Sequence, residues 1–371
     1  MTMRDETKPR SSDYNRRTFL KATGAIGATM AIAGCTGDGG NGGDGGDGGN
    51  GGDDGNGGNG GDGGDGGNGG GEEYPSSEIT MVVPFGAGGG TDTQYRGIKQ
   101  YFEDELGVQT VVDNRPGASG RQGMNYMYQQ DPDGYTLGCI SVPTGVLGAA
   151  IYDTQYKMSD ITTIGIPSAQ YFAWVSESGR FESLEAFVDF LLNSDTVKVG
   201  TVGQGSSNHF GALATLDAMG VDVANTVQSV PYDSGAEVGT AVARGDVDFG
   251  TAGETGVTGL VEDGRLDVMF IDRPEASPLF PDAPTVSEMS EATGSEIPVI
   301  ALQLGVFGPP GIEDAKISKL EESLTAAAQT DEYKSWAEGQ GLSVVGAGSQ
   351  ELRDQIDQLE EAAQRYKELT Q

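Results

Sequence analysis

The chain has 371 residues, and 56 acidic against 22 basic side chains give it a formal net charge of −34. A surface this acidic repels nucleic acid and anionic lipid, so neither is expected as a direct partner. With one histidine and two cysteines, multi-histidine metal sites are excluded, and no metal or cofactor is expected.

Read from the start, Arg16-Arg17 followed by Thr18-Phe19-Leu20-Lys21 has the form of a twin-arginine export signal. The apolar stretch Ala22–Ala33 is twelve residues long, too short to span a bilayer as a helix. It runs into Ile32-Ala33-Gly34-Cys35, which has the form of a lipobox. Residues 1–35 are therefore expected to be a signal peptide with Cys35 as the lipidation site. Residues 37–71 contain only Gly, Asp and Asn. With nothing apolar to bury, residues 36–73 are expected to be a disordered tether, with a root-mean-square reach of roughly 30–35 Å. Together these segments imply an exported protein, lipid-anchored to the outer face of the cytoplasmic membrane and touching it through the lipid only.

Removing the ten acids and six bases of residues 1–71 leaves 46 acids and 16 bases, a net charge of −30, on about 300 residues. That length is enough for two medium domains. The acids are spread along the chain and only seven lysines remain, the composition of a protein kept soluble in concentrated salt, as in a halophile. Cys139, inside the apolar run Thr136–Val142, is expected to be a small core residue.

From residue 79 onward, short apolar runs alternate with helical patterns, which predicts an α/β fold with parallel-rich sheets. Ile79–Phe85 leads into the glycines of residues 86–90 and reopens at Thr91-Asp92. Tyr95, Ile98, Phe102 and Leu106 then recur at spacings of three or four, one face of a helix that Gly107 stops. Val108–Val112 reads as a strand, Asn114–Gly123 as a turn-rich loop, Asn125–Gln130 as a helix and Tyr135–Val142 as a strand. The layout repeats in "VKVGTVGQGSSNHFGALATLDAMG", a strand, a glycine-serine turn and a helix ending at Gly220. A strand "TVQSVPY", a helix near Ala236–Arg244, a strand "VDFGTA", a helix around Thr255–Val261 and a strand Asp267–Asp272 follow. The last seventy residues read as mainly helical. Ile317, Leu320 and Leu324 share one face, as do Leu352, Ile356, Leu359 and Ala363, and the charges between the latter are a solvated face.

Three chemistries compete for these turns. Gly86-x-Gly88-x-x-Thr91 resembles a dinucleotide fingerprint, with Asp113 where a ribose-binding acid would sit, and implies an exported Rossmann-like NAD(P)-dependent oxidoreductase. The third glycine is missing, and Asp92 would put negative charge where a pyrophosphate belongs. Ser206, Ser207 and His209 invite a hydrolase, yet no G-x-S-x-G elbow occurs. Ser206-Ser207 also reads as a helix N-cap, with His209 lining a cleft. In the third reading, two helix N-termini offer unpaired N–H donors and partial positive charge, and clamp a small organic acid between two domains.

Seven stretches in order carry a family resemblance: "YPSSEITMVVPFGAGGGTD", "VVDNRPGASGRQG", "DPDGYTL", "GTVGQGSSNHF", "VPYDSG", "RPEASPLFPDAPTVSEM" and "GVFGPPG". From Tyr74 onward the chain resembles the solute-binding proteins of tripartite tricarboxylate transporters, the TctC or Bug family. The resemblance implies a two-domain periplasmic-binding-protein-like (Venus flytrap) α/β fold, with crossings near Ala173 and Ile300. Domain one would comprise residues 74–173 and 300–371, and domain two residues 174–299. It implies a non-enzymatic, monomeric solute-binding lipoprotein that passes a small organic carboxylate to the membrane subunits of a tripartite tricarboxylate-type transporter. Carried onto this sequence, the ligand-binding positions are Phe85, Gly86, Ala87, Gly88, Gly89, Gly90, Thr91 and Asp92 in the first loop. Gly203, Gln204, Gly205, Ser206 and Ser207 form the second, with Thr144, Tyr232 and Gly253 as walls. Two places depart from the family pattern: Gly86-Ala87 lack the usual neighbouring proline, and Asp233-Ser234 stand where lysine and glycine are common.

Overall fold

The computed structural model describes residues 74–369. The signal segment, Cys35 and the tether lie outside the described residues. Two separate sheets, one of six strands and one of five, carry the fold.

Strand β1 (Ile79–Val83) is buried almost throughout, so it needs neighbours on both edges and covers on both faces. It pairs in parallel with β2 (Thr110–Asn114) and β3 (Thr136–Ser141), with Met81 opposite Val112 and Leu137. Helix α1 (Gly90–Leu106) lays Tyr95, Ile98, Phe102 and Leu106 on this sheet, all buried. It ends where Gly107 adopts φ +78° and returns its N–H to the carbonyl of Glu103, a geometry glycine enters without a steric penalty. Cys139 is buried in the same core, and burial pushes its thiol pKa up. A short 3₁₀ turn (Ala118–Gly120) precedes α2 (Arg121–Tyr128), and α3 (Val142–Ile151) follows β3 directly.

The expectation of parallel-rich sheets is corrected. Strand β4 (Thr162–Gln170) belongs to the first sheet and β5 (Phe172–Glu177) to the second, with Tyr171 alone between them. The chain returns in β10 (Leu302–Gly308), which inserts between β3 and β4 and is antiparallel to both. Strand β11 (Leu342–Ala347) adds another antiparallel edge, in a region expected to be mainly helical. The first sheet therefore has the order β11-β4-β10-β3-β1-β2. The reason is connectivity: strands that pass between sheets have no crossover helix to bring them back parallel.

In the second sheet, helix α4 (Leu184–Asn193) leads to β6 (Val197–Val202) and α5 (Ser207–Met219). A helical turn α6 (Val223–Thr226) leads to β7 (Val227–Tyr232), α7 (Gly235–Val242), β8 (Phe249–Gly253), α8 (Glu254–Glu262) and β9 (Leu266–Ile271). The order is β7-β6-β8-β5-β9, parallel at β7-β6-β8 and antiparallel on both sides of β5. Its core centres on Trp174, whose ring stacks on Phe249 at 5.2 Å and on Phe270 at 4.8 Å. After α9 (Val286–Thr293) and β10, helices α10 (Asp314–Gln329), α11 (Asp331–Gly339) and α12 (Ser349–Leu369) cover the first sheet. Leu352, Ile356 and Leu359 of α12 are buried in its core beside Met124 and Phe307, as the periodicity predicts. Among the described residues no helix is long and apolar enough to cross a membrane.

Candidate functional site

The loop from β1 to α1 is fastened by its own acid. Gly88, at φ +82°, donates its N–H to Asp92 Oδ2 at 2.8 Å, and the same oxygen accepts from Arg96 Nε at 2.8 Å. Asn114 Nδ2 donates to Asp92 Oδ1 at 2.9 Å and to the carbonyl of Phe85 at 3.0 Å. Burial alone would raise the Asp92 pKa, but the bonds from Arg96, Gly88 and Asn114 outweigh it and hold it below the usual carboxylate range. Asp92 is thus the buried internal anion that shapes the glycine loop, and its charge does not face the cleft.

The loop from β6 to α5 is built from two left-handed glycines, Gly203 (φ +65°) and Gly205 (φ +82°). Ser206 caps α5 by accepting from His209 N at 3.2 Å. Asn208 Oδ1 accepts from Val202 N at 2.7 Å. His209 does not line the cleft. It is buried, its Nδ1 accepts from Gly205 N at 3.3 Å, and burial pushes its pKa down to about 4, so the ring is neutral at physiological pH.

Between the two sheets lies a cleft of about 470 Å³, within the roughly 300–1,000 Å³ of small-molecule sites. Five helix starts converge on it. They are Gly89–Thr91 of α1, Ser141 and Thr144 of α3, Ser206–Asn208 of α5, Ser234–Ala236 of α7, and Gly253, Thr255 and Gly256 of α8. Each N-terminus carries roughly half a positive charge and N–H groups without helical partners. Among the described residues no Lys, Arg or His lines the cleft, and Asp233 is its one charged side chain. Two buried lining groups, Ser141 Oγ and Asn208 Nδ2, have no hydrogen-bond partner. Unpaired groups of this kind are costly unless something arrives to use them.

Several contacts join the two sides. Ser207 N donates to Thr144 Oγ1 at 2.8 Å, and Ser119 Oγ donates to the carbonyl of Gln204 at 2.6 Å. Ala118 and Ser119 reach that position with φ of 50° and 52°. Arg365 of α12 pairs with Asp217 of α5.

Of the positions singled out in the sequence, Phe85, Gly86, Ala87, Gly88, Gly89, Gly90, Thr91, Thr144, Ser206, Ser207 and Gly253 line the cleft. Asp92, Gly203, Gln204, Gly205 and Tyr232 are not part of that lining. Gly203 N donates to the carbonyl of Tyr232 at 3.0 Å. Sequence reasoning named Thr144 only as a wall and missed that Ser141 and Thr144 open a helix there; it also missed the start of α7, Asn208 and Gln170. The two helix starts had signals: Ser141 followed by Pro143 is a helix opening, and Ser234-x-x-Glu237 fits a capping box. In the structure Ser234 Oγ accepts from Glu237 N at 3.3 Å.

A model for a twin-arginine translocation pathway signal sequence matches residues 13–33, so the protein is exported. A UPF0065 protein from the TAR-I ttuE–ttuC' intergenic region of Agrobacterium vitis is 29% identical over 222 residues, covering 58% of this chain and 62% of the relative. The periplasmic binding protein BugD superposes with a TM-score of 0.67 at 23% identity, over 80% of this chain and 98% of that one. A protein of R. palustris solved with adipate gives 0.69 at 22%, over 80% and 98%. These likenesses show the fold, the two-domain α/β architecture of periplasmic binding proteins. The model described as the tripartite tricarboxylate transporter family receptor, TctC, matches residues 95–371, and the chain therefore belongs to this family of solute-binding receptors, which are not enzymes.

Proposed function

We propose that the protein is an extracytoplasmic lipoprotein that captures a small organic carboxylate between two lobes and delivers it to the membrane subunits of a tripartite tricarboxylate-type transporter. The observation that carries this reading is the convergence of five helix N-termini on one cleft without a cationic side chain. Such a site receives a carboxylate through main-chain N–H groups and hydroxyls. The unpaired Ser141 Oγ and Asn208 Nδ2 are further donors for it. The relative solved with adipate supports the ligand class. The lobes would be residues 74–173 with 300–371, and residues 174–299. Cys35 carries the lipid, residues 36–73 form the tether, and the receptor works as a monomer in concentrated salt.

Thermal melts across a panel of mono-, di- and tricarboxylates test the reading, because a ligand bound only by the native state raises the melting temperature. At least one carboxylate is expected to stabilise the protein, and nicotinamide dinucleotides are expected to have no effect. Stabilisation by dinucleotides alone would overturn it. Mass spectrometry of small molecules that co-purify identifies the natural ligand.

A further inference from the structure

Gln170 is the last residue of β4, one position before the chain changes sheets. Its backbone is held from both sides, in register with Leu302 of β10 and Leu342 of β11. All three residues line the cleft. Between these two leucines the Gln170 side chain stands on the floor, and two glycines make room for its head. A Cβ at Gly90, the first residue of α1, would lie 3.1 Å from Gln170 Oε1. One at Gly253, the N-cap of α8, would lie 2.7 Å from Gln170 Nε2, closer than real contacts allow. Among the described residues the carboxamide has no hydrogen-bond partner. A long polar side chain, fixed at its base and left unpaired between two helix starts, has the arrangement of a reader.

We propose that Gln170 is a specificity-determining residue of the cleft, one that recognises a hydroxyl next to the bound carboxylate. The proposal rests on the carboxylate reading above. A carboxamide presents a donor and an acceptor side by side. Its N–H donates to an oxygen of a carboxylate held at the helix starts. Its carbonyl oxygen would repel a carboxylate and instead accepts from an adjacent O–H. A bound ligand lacking that hydroxyl covers the acceptor without giving it a partner, and sites built to hydrogen-bond a hydroxyl discriminate strongly against analogues lacking it. The side chain does so from the junction of the two sheets, where strands on both sides pair with its backbone.

Succinate and malate differ by one hydroxyl beside a carboxylate, so their affinity ratio isolates the effect. Calorimetric titration of the wild-type protein in high salt is expected to favour malate by about tenfold or more. Gln170→Leu is one atom shorter, stays apolar between the two leucines and removes both polar atoms. It is expected to bring the two affinities within about twofold, with the melting temperature of the free protein little changed. Gln170→Glu puts a fixed carboxylate between the two helix starts and is expected to weaken both ligands at least about a hundredfold. Equal affinities in wild type, an undiminished malate preference in Gln170→Leu, or wild-type binding by Gln170→Glu would each overturn the role of Gln170 while leaving carboxylate capture standing. If neither these acids nor any other carboxylate of the panel binds, the carboxylate reading fails and this proposal fails with it.

Discussion

His209 shows how a chemically suggestive residue becomes a structural one. Its ring is buried, accepts from Gly205 N and has a pKa pushed down to about 4 from 6.5. Between those values the unfolded chain binds a proton that the folded chain does not, so stability rises with pH across that window and is lost as pH falls. The difference corresponds to about 3 kcal/mol at most, at about 1.4 kcal/mol per pH unit. His209→Asn keeps an acceptor for Gly205 N without a titrating ring. Chemical denaturation at pH 7 and pH 4.5 is expected to show a smaller loss of stability in the variant than in wild type. Equal losses would mean that the imidazole does not titrate in this window. The raised pKa values of buried Glu254 and Asp272 act in the opposite sense in both proteins and cancel in the comparison. In the sequence His209 was legible as a non-catalytic residue, from the missing elbow motif. Its withdrawal from the cleft was not, because neighbouring residues within one turn of α5 face different directions and only the packed tertiary structure decides which is inside.

At the scale of elements, glycines set where helices may begin. Gly205 has φ +82°, and a Cβ there would lie 3.1 Å from the ring of Tyr152 at the C-terminal end of α3. Gly89 has φ −71°, so its constraint is steric only, a Cβ 3.2 Å from the carbonyl of Gly86. Valine at either place adds branched bulk beside the donors of α5 or α1. Each variant is expected to bind carboxylate at least about tenfold more weakly, about 1.4 kcal/mol, with a cooperative melt retained. His209→Asn is expected to lose less than either. Undiminished affinity in both valine variants, measured by calorimetry, would refute a cleft built on main-chain donors. These two helix starts were legible because glycine-rich turns mark strand-to-helix corners. The convergence of three more was hidden, since it depends on β4, β5 and β10 joining two sheets, contacts far apart in the sequence. The strand β11 was missed for a related reason: it is an edge strand that pairs only with the distant β4, and helices flank it in the sequence.

For the whole molecule the governing quantity is charge. Residues 72–371 carry a net charge of −30, and an anionic ligand must approach them. In dilute buffer that field opposes binding, whereas the attraction of the helix starts acts over a few ångströms inside a cleft that solvent ions screen poorly. Salt therefore removes the repulsion and leaves the attraction. The Debye length falls from about 10 Å at about 0.1 M salt to about 3 Å at about 1 M. Carboxylate affinity is thus expected to rise as KCl is increased over that range, mainly through faster association, and the melting temperature of the free protein to rise with it as self-repulsion is screened. A site built on lysine or arginine would show the reverse, because salt competes with such ion pairs. Stopped-flow association rates and calorimetry with one stabilising carboxylate, at several KCl concentrations, separate the two. An affinity that falls steadily with KCl would show that cationic side chains, and not helix N-termini, hold the ligand.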